Sequence, residues 1–150
     1  EHTMAGKSDY LENKILALIF NAQGIANIAD NASSGPLTNL YVRLHTADPT
    51  DAANAQTTSE CNYVGYSSVA VARTSGGWTI TGNSVSPTSP ITFPAAGTGT
   101  TPQTASHVTI GTQASPNTGQ ILFSGALSPA ISIVEGVTPE IKTTSTITED

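Results

Sequence analysis

The side chains able to do chemistry in this chain are few and loosely spaced. His45 stands at the end of an alternating stretch, with Asp48 and Asp51 just beyond it. A histidine beside a carboxylate is half of a nucleophilic site, but no Gly-x-Ser-x-Gly elbow accompanies it. The pair reads as a surface hydrogen bond at a turn. Glycoside hydrolysis needs two carboxylates facing one bond. Asp48, Asp51, Glu60, Glu135 and Glu140 all fall in expected loops or edges and read as solubilising charges. Asp48-x-x-Asp51 offers oxygens to calcium without the dense ligand loop of an EF-hand. Gly97-Thr98-Gly99 does not lead from a strand into a helix, and no Gly-Lys-Ser/Thr is present to cradle phosphate. Cys61 is the single cysteine, which excludes an internal disulfide and a multi-cysteine zinc site. It reads as a small filler. Tyr41, Tyr63, Tyr66 and Trp78 are the aromatics on which a sugar could stack, and they read better as strand edges of a core. We therefore expect no enzyme, no metal and no cofactor.

The elements that would carry these residues change period along the chain. Leu11, Ile15, Leu18, Ile19 and Ala22 recur at helical spacing, and Leu16 and Phe20 widen the apolar face. A helix from about Asp9 to Asn21 follows, ending near Gly24, with Asp9 and Glu12 as a capping-box-like pair and Ser8 as an equal candidate cap. From Leu40 the period becomes two: Leu40, Val42 and Leu44 alternate with Tyr41, Arg43 and His45, a half-buried strand with its polar face outward. Residues 51–62 carry no periodicity and read as a long exposed loop. Further strands are expected at Tyr66–Arg73, Trp78–Ile80, Ile91–Phe93, His107–Ile110, Gln120–Gly125, Ile131–Val134 and Ile141–Thr148. Short strands at roughly ten-residue spacing suggest an antiparallel β-sandwich, jelly-roll-like, with one N-terminal α-helix. The expected core is Leu40, Val42, Leu44, Val69, Val71, Ile80, Val108, Ile110, Ile121 and Phe123.

The 150 residues fit one domain. Residues 1–6 read as an appended remnant and flexible start, with Met4 the natural first residue, and residues 7–150 as a single sandwich domain. Charged residues make up only 11% of the chain, against about 25% in an ordinary soluble protein, while 23 Thr and 16 Ser supply much of its polarity. The net charge is −6, and the five basic residues are scattered, so no stripe exists to meet nucleic acid or an anionic membrane. The first apolar run lies inside the helix pattern beside Asp9 and Glu12, unlike a secretory leader, so synthesis in a cytoplasm is expected. The helix is apolar beyond what one sheet face covers. Leu11, Ile15, Leu16, Ile19 and Phe20 are thus the candidate interface, and a homo-oligomer, a trimer by preference, is the expected partner state.

Several stretches are similar to a known family. Lys7–Leu16 (KSDYLENKIL) and Leu40–Ala52 (LYVRLHTADPTDA) resemble a group of small tailed-bacteriophage virion proteins. Gly65-Tyr66, Val69–Val71, Ile91–Pro94, His107–Thr109 and Ile121–Leu127 follow in the same order, so the resemblance covers Lys7 to Thr148. Members are tail-fibre-like, and some look like capsid decoration proteins. The resemblance implies a structural virion protein, made in a bacterial host, whose partners are the major capsid protein or other virion proteins. It supplies no catalytic residue. A single domain with no shaft, coiled coil or repeat places a capsid decoration (cement) role first. A tail-fibre or baseplate module binding host-surface glycan is the alternative.

Overall fold

The computed structural model describes residues 6–11, 13–15, 24–28, 37–52, 55–81, 84–114 and 119–148. Its strands are β1 (Asn39–His45), β2 (Val69–Ala72), β3 (Trp78–Thr81), β4 (Ser84–Pro87), β5 (Ile91–Thr92), β6 (Gln103–Gly111), β7 (Ile121–Ile133), β8 (Glu140–Ile141) and β9 (Ile147–Thr148). One 3-10 turn, η1 (Ala55–Thr57), lies between β1 and β2. Every pair is antiparallel, in a four-stranded sheet β2-β1-β6-β7, a three-stranded sheet β3-β4-β9 and a two-stranded sheet β5-β8. The chain is mainly β, as its alternation implies.

Opposed residues of paired strands share a face, so the register sorts the large sheet into two sides. Val42 opposes Ile110, Leu44 opposes Val108, and Ile110 opposes Phe123. This apolar side meets the small sheets in one cluster, where Val42, Leu44, Phe93 and Ile133 are at most 1% exposed and Trp78 and Ile147 pack around them. Burying a side chain of this size stabilises the fold by about 1.5–3 kcal/mol. Leu40, Val69, Val71, Val108 and Phe123 are half-buried against the same cluster. Ile121, also in the expected core, is fully buried.

Five expectations need correcting. Arg43 and His45 are not on a wet face: they are 2% and 0% exposed. Their side of the sheet is covered by the segment after β1, whose Gln56 side chain sits against Gly111. That segment, expected to be an exposed loop, buries Gln56 and Cys61. Ile80 is 76% exposed rather than core. It shares a face with Trp78 and opposes the half-buried Val85, so it has the inward phase, but nothing among the described residues covers it there. Gln120–Gly125 and Ile131–Val134 belong to one strand, β7. The Leu127–Ala130 stretch that looked like a break is a wide bulge, in which four residues face Ser106 of β6. Ile141–Thr148, expected as one strand, divides between β8 and β9, which join different sheets around a turn at residues 143–144.

The N-terminal helix is helical at residues 9–11 and 13–15; the rest of its expected length lies outside the described residues. Its cap is Ser8, whose Oγ accepts the Leu11 N–H at 3.3 Å. The same hydroxyl donates to the Ile121 carbonyl. Just before it, Gly6 accepts the Ser124 N–H and Lys7 bridges to Phe123, which anchors the helix start along the outer edge of β7. Residues 1–5 lie outside the described residues.

Candidate functional site

Two places gather the residues from which a site could be built. The first is the polar interior under the segment that follows β1. Arg43 Nε lies 3.1 Å from the Glu60 carboxylate, and its Nη2 donates to the Gln113 and Ala114 carbonyls at 2.6 and 2.7 Å. Tyr66 donates its hydroxyl hydrogen to the same Glu60 oxygen and accepts the Leu44 N–H. Burial pushes the Glu60 carboxyl above the ordinary carboxylate range, against the pull of the Tyr66 hydrogen bond and Arg43. Burial likewise lowers the Arg43 guanidinium and raises the Tyr66 hydroxyl. The direction for Glu60 means that its partners only partly replace the water it has lost.

His45 sits beside this pair. One ring nitrogen is 2.8 Å from the Thr58 carbonyl and the other 2.8 Å from Thr109 Oγ1. Burial lowers its pKa, with the Arg43 and His107 charges adding to that effect. Neither Asp48 nor Asp51 contacts the ring: Asp48 Oδ1 accepts the Thr50 N–H, and the Asp51 backbone carbonyl accepts the Asp9 N–H. The imagined His–Asp pair is therefore not assembled, and the surface hydrogen bond assigned to His45 is an interior one. Cys61 is 2% exposed, and burial followed by the nearby Glu60 pushes its thiol up to about 11. A thiol held that high is protonated and unreactive at neutral pH. Among the described residues no three His, Cys, Asp or Glu side chains are grouped to hold a metal. Together these contacts clamp the segment between β1 and β2.

The second place is an apolar groove of about 560 Å³ between the large sheet and the small ones. Val42, Ile110 and Phe123 form its floor, Trp78, Ile141 and Ile147 its opposite wall, and Glu140 and Lys142 are the charged residues at its lining. The indole Nε1 of Trp78 is buried with no acceptor among the described residues. Of the aromatics considered as sugar platforms, Tyr63 is buried with its hydroxyl on the Pro94 carbonyl, and Tyr66 stacks on Phe93 at 6.3 Å between ring centroids.

Of the expected interface residues, Leu11 is buried inside the chain and Ile15 is half-buried, while Leu16, Ile19 and Phe20 lie outside the described residues. Among the described residues Ile80, Val64 and Val134 are the large apolar side chains left exposed, at 76%, 49% and 43%. Sequence reasoning missed the Arg43–Glu60–Tyr66 network, because Glu60 lies in a stretch without period, Tyr66 just beyond it, and only the fold carries them back to β1.

Comparison with known families adds one finding. A family model described as podophage GP4 fiber I protein gp80 matches residues 6–148. No curated protein matches the chain.

Proposed function

Because this chain belongs to the podophage GP4 fiber I protein family, we propose that it serves as a non-enzymatic fibre module of a short-tailed phage virion. The family match over residues 6–148 carries the reading. The sequence alone placed capsid decoration first and a fibre or baseplate module second; the family's printed name favours the fibre. The geometry is compatible with a structural part. Its buried ionisable groups are spent on each other and on backbone carbonyls, as a scaffold requires. Glycan binding gains no support from Tyr63 and Tyr66, which are built into the interior.

The partners that follow are other virion proteins, with further copies of the chain among them. A low-charge, Thr- and Ser-rich surface with exposed Ile80, Val64 and Val134 suits protein contact more than a polyanion. A homo-oligomer, a trimer in the simplest case, would bury the apolar positions that the monomer leaves wet. Immunogold labelling of intact virions tests the assignment. Gold on fibres at the tail supports it, whereas gold distributed over the head shell replaces it with capsid decoration.

A further inference from the structure

His45 has no exposed surface, yet both of its ring nitrogens are satisfied. The Thr58 carbonyl can only accept, so Nδ1 carries a hydrogen. With the ring neutral, Nε2 is an acceptor, filled by the Thr109 hydroxyl hydrogen. Thr58 belongs to the segment that leaves β1 and folds back on its end. There the Thr46 N–H donates to the Ser59 carbonyl and the Cys61 N–H to the Leu44 carbonyl, at 2.8 and 2.9 Å. The same segment holds the helix start, through the Asp9 N–H on the Asp51 carbonyl.

We propose that His45 is an acid-sensitive latch: its neutral ring holds residues 55–61 against β1, and protonation of the ring releases them. A proton added at Nε2 would meet the Thr109 hydroxyl hydrogen. That hydroxyl must then turn and find another acceptor, although Thr109 is itself fully buried. The new cation would stand two residues from Arg43 on the same face and directly across from His107 on β6. On its other flank the bridge partner is Glu60, whose carboxylate already accepts from Arg43 and Tyr66. Cys61 and Tyr66 are un-ionised neighbours in this interior. Asp48 and Asp51 on the segment and Asp9 on the helix start are exposed.

The sign follows from proton binding. The closed state holds the His45 pKa below its ordinary value, so the open state binds more protons as pH falls below about 6.5, and opening gains from acid. Glu60 acts in the opposite direction, since its closed-state pKa is raised, and it offsets part of the effect nearer the carboxylate range. The latch is a property of the chain whatever its place in the virion.

Amide hydrogen exchange on the full chain between pH 7.5 and 5.5, corrected for intrinsic rates, tests it. Exchange at Thr46 and Cys61 should rise, by at most roughly tenfold one pH unit below the open-state pKa, while the Val108–Gly125 and Ile110–Phe123 pairs of the β6–β7 ladder keep their protection. In His45→Gln, whose amide can both donate to Thr58 and accept from Thr109 without titrating, the rise should vanish; in His107→Gln it should persist. A pH-independent Thr46 and Cys61, a rise that survives His45→Gln, or an equal rise across the β6–β7 ladder would each overturn the latch. Should His45→Gln not fold, NMR titration of the His45 ring in the native chain decides. Titration below the ordinary histidine range together with loss of Thr46 and Cys61 protection supports the latch; an ordinary titration that leaves them protected overturns it.

Discussion

Replacing Arg43 with methionine should be among the most damaging single changes in this chain, and the structure indicates by how much. The guanidinium is 2% exposed and holds two carbonyls, at 2.6 and 2.7 Å, besides the Glu60 carboxylate at 3.1 Å. Methionine fills a similar volume, so the loss is mainly polar. Breaking a buried ion pair from one side leaves a stranded charge and costs about 3–5 kcal/mol. Two features pull the figure toward the lower end. Arg43 Nη1 is already buried with no acceptor among the described residues, and Glu60 keeps the Tyr66 hydroxyl when Arg43 is gone. A domain of this size holds about 5–15 kcal/mol in all, and 1 kcal/mol moves the melting temperature by about 2–4 °C. The expected loss is therefore at least about 6 °C. The double variant Arg43→Met/Glu60→Gln removes the stranded charge and should be more stable than Arg43→Met by about 1 kcal/mol or more. Urea unfolding of the native chain, both single variants and the double variant gives the coupling directly. An Arg43→Met loss below about 1 kcal/mol, or a double variant no better than that single, would refute the reasoning.

The other expectations concern packing and reactivity. Leu44→Ala, at a position with no exposure, should cost about 2–5 kcal/mol by denaturant unfolding, whereas Ile80→Ser, at 76% exposure, should stay within about 0.5 kcal/mol. A Cβ at Gly111 or Gly119 would stand 2.2 or 2.3 Å from the Gln56 amide, so Gly111→Ala should cost about 1–3 kcal/mol. Adding Gln56→Ala should return part of that loss, and strict additivity would show that Gln56 is not the obstacle. Cys61, with its thiol pushed up to about 11, should resist iodoacetamide at pH 8 until the chain is unfolded. Rapid native alkylation would show that the thiol is reachable.

The sheet was legible in the sequence where one face carries uninterrupted aliphatic alternation. Leu40–Leu44 and His107–Ile110 became β1 and part of β6 with their apolar phase turned to the core as expected. Strand ends and partners were harder, because they depend on what the opposing strand supplies. Pro129 punctuates the sequence like a turn, yet β6 continues on both sides of it, and the ladder closes across the bulge. Ile80 shows the complementary failure. Alternation gives a side chain its direction, but burial needs an opposing surface, and the small β3-β4-β9 sheet extends past the one it has.

The polar interior failed to show for a physical reason that bears on function. Period-two reasoning assumes that a strand with one polar face turns it to water. Here a segment rich in Thr and Ala, which brings Gln56 and Glu60 with it, is folded back over Arg43 and His45. A charge-poor chain with few large apolar residues cannot close a second layer by hydrophobic burial alone. It closes that layer with hydrogen bonds to a buried cation, a carboxylate and an imidazole. Such contacts hold only while each group keeps its protonation state. Arg43, His45 and Glu60 thus hold the segment over β1, and the latch proposed for His45 is the point at which acid would loosen it.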